Sequence, residues 1–95
     1  MVRRKLLSDP EIEARLPKVP RWKREGKAIT REWTFDDFPA SLAFINRVGT
    51  LAEAANHHPD IYNSWNRVRL SLTTHDAGGL TDRDFDLARR IDDLS

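Results

Sequence analysis

Arg67-Val68-Arg69-Leu70-Ser71-Leu72-Thr73 alternates strictly, with Val68, Leu70 and Leu72 on one side and Arg67, Arg69, Ser71 and Thr73 on the other. A period of two sends successive side chains to opposite faces of a strand, so this strand has one buried face and one face turned to solvent or to a partner. One-sided burial is the mark of an antiparallel sheet, because parallel strands are covered on both faces and read as apolar throughout. Just upstream, Asp60–Asn63 is a short extended piece, and Ser64-Trp65-Asn66 is the turn that folds it back against the alternating run.

A second hairpin lies earlier in the chain. Ile29, Arg31, Trp33 and Phe35 share one parity in a run of aromatic and β-branched residues, which reads as a strand with one buried face. Gly26 supplies the turn back to a shorter strand around Trp22. Between the hairpins the spacing predicts the longest helix. Asp36 or Asp37 caps it, Pro39 sits in its first turn, and it ends near Asn56, because Pro59 cannot continue a helix and disfavours helical angles at His58. Phe38, Leu42, Ile45, Ala52 and Ala55 follow one side of this helix, and Phe44, Val48 and Leu51 extend the apolar arc on an adjoining side. An arc that wide points to a deeply laid core helix or to a second face that meets another subunit.

The ends complete the pattern. Met1–Leu7 is expected to be a loose arm. Asp9 and Pro10 open a short helix that Pro17 and Pro20 stop. Thr74-His75-Asp76-Ala77-Gly78-Gly79 is a loop, and Thr81-Asp82-Arg83-Asp84 resembles a capping box with Asp in place of the usual Glu. A last helix follows to about Leu94, with Phe85, Leu87, Ala88, Ile91 and Leu94 as core positions. The order is helix, strand, strand, helix, strand, strand, helix. It implies an α+β domain of two layers, a four-stranded antiparallel sheet with helices on one face. Residues 1–95 read as a single domain.

Composition narrows the function. There is no cysteine, hence no disulfide framework, thiolate nucleophile or cysteine zinc site. A net charge of +1 gives no general basic surface for nucleic acid. The charge is nevertheless uneven, with ten Lys/Arg against five Asp/Glu in residues 1–35 and six against ten thereafter. No apolar run reaches the ~20 residues of a membrane span, and the N-terminus lacks the apolar centre of a signal peptide, so a cytoplasmic location is expected.

Chemistry concentrates at Glu53-Ala54-Ala55-Asn56-His57-His58-Pro59-Asp60, which holds two of the three histidines. The plainest role for adjacent histidines before a proline is a helix C-cap, where a cationic imidazole meets the negative end of the dipole. Three features argue for more. Glu53 precedes His57 by four residues and shares its face if the helix persists that far. His75 falls in a loop at the end of the best strand, where a rigid scaffold presents functional groups. Asp76, Asp82 and Asp84 follow closely and could orient an imidazole. A zinc site of three histidines and a carboxylate is disfavoured, because neighbouring side chains diverge and no His-x-Glu or His-x3-His spacing is present. No glycine-flanked serine forms a nucleophile elbow, and Gly78-Gly79 alone is a turn rather than a phosphate loop.

The spacing Glu53-x3-His57-His58-Pro59, then Trp65, His75 and Asp84, resembles the signature of the pterin-4a-carbinolamine dehydratases. Trp22, Trp33-x-Phe35-x-Asp37-Phe38, Thr73-Thr74-His75 and Gly79-Leu80-Thr81-x-Arg83-Asp84 agree with it, over roughly residues 8–94. The resemblance implies an α+β fold and dehydration of a 4a-hydroxytetrahydropterin to the quinonoid dihydropterin, recycling the tetrahydrobiopterin of an aromatic amino acid hydroxylase. It implies that His57, His58 and His75 are the active-site imidazoles, that Glu53 and Asp84 hold or tune them, and that substrate contacts fall on His57–Pro59 and on Thr74, His75, Asp76 and Ala77. Imidazoles can move both protons of such a reaction near neutral pH without a metal or an organic cofactor. The resemblance also implies a homo-oligomer, dimer or tetramer, and it includes members that act as dimerisation cofactors of a transcription factor or in the assembly of another enzyme. Asn56 and Ile61 depart from the pattern, standing where some relatives carry an acid and an aromatic ring.

Overall fold

The structure is a computed structural model that describes residues 5–94. Seven elements follow in the expected order: α1 (Asp9–Arg15), β1 (Lys23–Glu25), β2 (Ala28–Thr34), α2 (Phe38–Ala55), β3 (Asp60–Ser64), β4 (Arg67–Leu72) and α3 (Asp82–Asp92). The four strands form one antiparallel sheet in the order β1-β2-β4-β3. The fold is therefore α+β, as the alternation of β4 required. Register places Ile29 opposite Leu72, Arg31 opposite Leu70 and Trp33 opposite Val68. These residues line the face that the helices cover, and the aliphatic ones among them are fully buried.

Helix α2 lies on this face. Its buried stripe is Ser41, Phe44, Val48 and Ala52, whereas Phe38 and Leu42, on the other of the two apolar sides read from spacing, are each 41% exposed. The rings of β2 explain the choice. Phe44 packs 4.8 Å from Trp33 and 5.1 Å from Phe35, and Trp33 meets Trp22 edge-on. Aromatic pairs in these geometries contribute beyond their area, and only one side of α2 can reach them. Phe38 and Leu42 are left at the surface, as are Ile61, Tyr62 and Trp65 of the β3–β4 hairpin.

Arg31 is the polar member of the buried face. Its Nη1 donates to Asp92 at 2.5 Å, and its guanidinium lies 4.4 Å from the centre of the Trp33 ring. Asp92 also accepts from Trp22 Nε1 at 2.7 Å, so one carboxylate at the end of α3 ties that helix to β2 and to the residue that leads into β1.

Two local expectations change. Ser8, not Asp9, caps α1: its hydroxyl accepts from the Glu11 N–H while the Glu11 carboxylate accepts from the Ser8 N–H, a reciprocal capping box that moves Pro10 to the second helical position. The expected loose arm is also pinned at its end, because Leu7 is buried and its N–H donates to Leu80 O at 2.9 Å. Leu6 presses on Gly79, where a Cβ would sit 2.9 Å from its Cδ1. The first four residues of that arm lie outside the described residues.

The Ser8 N–H, the Lys5 ammonium and the Ser8 hydroxyl together lower the Glu11 carboxyl from its ordinary 4.5 to about 2. A carboxylate with a depressed pKa in the folded state stabilises the fold above its ordinary value, and that contribution is lost as the pH falls toward the folded value. Glu11→Gln is therefore expected to lower the melting temperature at neutral pH, with the difference from wild type shrinking below pH 4.5 and vanishing near pH 2. Thermal melts of the two proteins across that range measure it.

Candidate active site

The last turn of α2 sets the geometry. Asn56 is left-handed, with φ 48° and ψ 44°; its N–H returns to Glu53 O and the His57 N–H returns to Ala52 O. This pair of bonds is a Schellman termination, with asparagine in the position that glycine usually fills. The chain leaves the helix before His57, so Glu53 and His57 do not meet as they would on a continuing helix. Glu53 instead hydrogen-bonds His58 Nε2, and His57 Nε2 pairs with Asp84 Oδ1 at 2.5 Å. The expected four-residue pairing is thus corrected to a five-residue one, and the orienting partner of His57 comes from α3.

Asp84 is fully buried. Its Oδ2 accepts the Thr74 hydroxyl at 2.9 Å and the Thr81 N–H at 2.9 Å, the latter as the second half of the α3 capping box. The proton directions around it follow from counting. Thr74 has a single hydroxyl proton, given to Asp84, so in its 2.8 Å bond with Thr81 it accepts. Thr81 donates there and accepts from the Arg83 N–H. An ionised Asp84 can only accept, so His57 would then donate from Nε2 and Nδ1 would be the nitrogen left for other work.

The remaining expected residues are distributed around this network. Thr74 is 1% exposed, its hydroxyl committed to Asp84 and Thr81, so what it offers a ligand is its place in the backbone beside His75. His75 opens a 3-10 turn (His75–Ala77) that is closed by a bridge between Thr74 and Gly79. Both His75 and Asp76 are exposed, and Ala77 is half-buried. His58 is exposed and Pro59 half-buried, leading directly into β3. The structure therefore gathers His57, Thr74 and Asp84 into one buried cluster and His58 with Glu53 into a surface pair, while His75 is presented from the residue after Thr74. Among the described residues no group of three or more His, Cys, Asp or Glu side chains is arranged to hold a metal ion, and no helix is long and apolar enough to cross a membrane.

Two residues of the site had no role in the sequence reading. Thr81 was read only as a helix cap, yet its hydroxyl completes the chain to Asp84. Arg83 donates from Nη2 to Ala55 O at 2.8 Å and to Asn56 O at 2.6 Å. The signal that would have found it is the unpaired carbonyls every helix leaves at its C-terminus; α2 has no basic residue in its own last turn to meet them.

On this α+β domain the last turn of α2 carries a buried histidine–aspartate pair and a surface histidine–glutamate pair, and it is the pterin-4a-carbinolamine dehydratases that the spacing resembled. The chain belongs to that family: residues 5–94 match the family model described as pterin 4 alpha carbinolamine dehydratase. Relatives carrying the provisional name pterin-4-alpha-carbinolamine dehydratase include one from Roseiflexus sp. (strain RS-1), 54% identical over 93% of this chain and 95% of its own. Another, from Nocardia farcinica (strain IFM 10152), is 50% identical over 95% of each. Among solved structures, a transcriptional coactivator/pterin dehydratase from Brucella melitensis superposes with a TM-score of 0.90 at 32% identity, covering 95% of this chain and 98% of that one. A pterin dehydratase-like protein described as a RuBisCO assembly factor of the alpha-carboxysome shares the fold, with a TM-score of 0.65 at 24% identity over 77% and 87% of the two chains.

Thr74→Val keeps the shape of the side chain but leaves Asp84 Oδ2 with one donor and Thr81 without an acceptor. Removing one partner of a buried polar pair costs about 1–3 kcal/mol. Urea denaturation is expected to show a loss in that range.

Proposed function

We propose that this protein dehydrates a 4a-hydroxytetrahydropterin to the quinonoid dihydropterin and water, recycling the tetrahydropterin of a hydroxylase. The observation that carries the reading is the His57–Asp84 pair, in which a buried carboxylate engages Nε2 and leaves Nδ1 for a substrate proton. The reaction needs one proton removed from a pterin ring nitrogen and one delivered to the departing 4a-hydroxyl. His57 suits the first task and His75, whose ring has no hydrogen bond among the described residues, suits the second. His58, held by Glu53 at the surface, positions the pterin together with Pro59 and the backbone of Thr74–Ala77. No cofactor is required in this scheme. The family membership and the relatives' names support the pterin class of substrate.

Stopped-flow measurement of carbinolamine dehydration by the purified protein tests this. His57→Ala and His75→Ala are each expected to lower the rate by roughly 100-fold or more, the usual share of a positioned acid or base. Rates within about threefold of wild type would remove both from proton transfer, and no acceleration above buffer would sink the enzyme reading.

A second reading has an observation of its own. Phe38, Leu42, Ile61, Tyr62 and Trp65 are large apolar side chains at 41–62% exposure. Exposed apolar side chains of this size suit self-association, whether the domain is an enzyme or a non-catalytic assembly or coactivator module. Sedimentation equilibrium is expected to give a mass above that of one chain. A concentration-independent monomer would contradict it, and Leu42→Glu is expected to shift the distribution toward monomer.

A further inference from the structure

We infer that Arg83 is a positioning residue for His57, acting through the backbone of the Asn56 cap. Its Nη2 bonds two successive carbonyls, Ala55 O and Asn56 O. The first oxygen belongs to the peptide plane before the Asn56 Cα and the second to the plane after it. The angle between those planes is set by φ and ψ of Asn56, so one nitrogen bound to both oxygens fixes that residue's left-handed conformation, and with it the direction in which the His57 side chain leaves the backbone. The Schellman bonds hold the N–H side of the same two planes, to Glu53 O and Ala52 O, and Arg83 adds the tie on their carbonyl side.

The charge is also well placed. A cation at a helix C-terminus is favoured by the dipole, and here it comes from a different helix. The next residue on α3 is Asp84, which takes the His57 ring. Arg83 and Asp84 thus hold His57 from both ends, the one by the peptide that leads into it and the other by Nε2. With Arg83 removed, the ring keeps its partner and the turn keeps its Schellman bonds, but the carbonyl side of that turn is no longer held. The expected result is a ring that samples more than one position relative to a ligand, which is where small displacements become costly to rate.

The kinetic arm of the test rests on the pterin reading; the spectroscopic arm does not. In uniformly ¹⁵N-labelled full-length protein, the His57 Nε2–H resonance, assigned by its loss in His57→Gln, reports the hydrogen bond to Asp84. Arg83→Ala is expected to speed exchange of that proton with solvent by roughly tenfold or more, and to lower kcat about tenfold with KM within about twofold. Arg83→Lys, with a single point donor, is expected to fall between Arg83→Ala and wild type in both, and serves in its place should Arg83→Ala not fold. Arg15→Ala removes the Arg15–Asp82 ion pair at the same turn of α3 and is expected to move neither reading. Unchanged Nε2–H exchange in a folded Arg83 variant overturns the inference, as does an equal effect in Arg15→Ala. A wild type inactive toward the carbinolamine, with the exchange difference present, overturns the pterin reading and supports the role of Arg83. An active wild type with unchanged exchange and kcat in Arg83→Ala overturns the role of Arg83 alone.

Discussion

The fully buried carboxylate of Asp84 is the constraint on which the site depends. A buried charge is tolerated only when it is hydrogen-bonded on every side. Asp84 meets that demand with three partners from three places: the N-cap of its own helix at Thr81, the loop after β4 at Thr74, and the chain leaving α2 at His57. His57 lies 27 residues from Asp84 and Thr74 ten, and the need to satisfy one carboxylate fixes where each segment lies relative to the others. The arrangement that settles the buried charge is the same one that orients His57. A substitution in this cluster therefore cannot alter the orientation of the imidazole without also altering stability.

The second imidazole–carboxylate pair is of another kind. His58 and Glu53 are 55% and 79% exposed at their side chains. An exposed ion pair contributes at most about 1 kcal/mol and often nothing measurable. Stability gives no account of why these groups stand side by side, one residue along the chain from a buried pair. On the proposed reading their reason is the ligand: a hydrated, adjustable imidazole can follow a flat heterocycle, whereas His57, clamped by Asp84, cannot. Two histidines adjacent in sequence are thereby given opposite properties by a single left-handed residue that turns the first inward and leaves the second at the surface.

The elements were legible from sequence because each is written in local chemistry. β4 follows from strict alternation, α2 from Asp37 and Pro39 at one end and Pro59 beyond the other, and α3 from the Thr81–Asp84 box. Which side of α2 faces the sheet was not legible, since both of its sides are apolar and the choice between them rests on where the rings of Trp33 and Phe35 lie across the sheet. The partners of the histidines were half legible. Their membership in one site could be read from spacing, but the pairing of Glu53 with His57 assumed a helix that continues through position 56. Asn56 ends it, and asparagine is one of the few residues besides glycine that readily adopts the left-handed conformation. The role of Arg83 lies further from reach, because a guanidinium that binds backbone carbonyls of another helix leaves no pattern in spacing at all.

The geometry also recasts the two departures from the resemblance. Asn56 is a backbone device: its φ is positive and its carbonyl is held by Arg83, and these properties would be shared by an aspartate, which also tolerates that conformation. The change from acid to amide removes a charge beside the histidines without moving the turn that aims them. Ile61 sits opposite Leu70 at the edge of the sheet and is 44% exposed. It stands three residues from His58, on the strand that Pro59 feeds. On the proposed reading, an aliphatic group there would offer a planar ligand contact area but no ring face, and the His57–Asp84 pair would not depend on it.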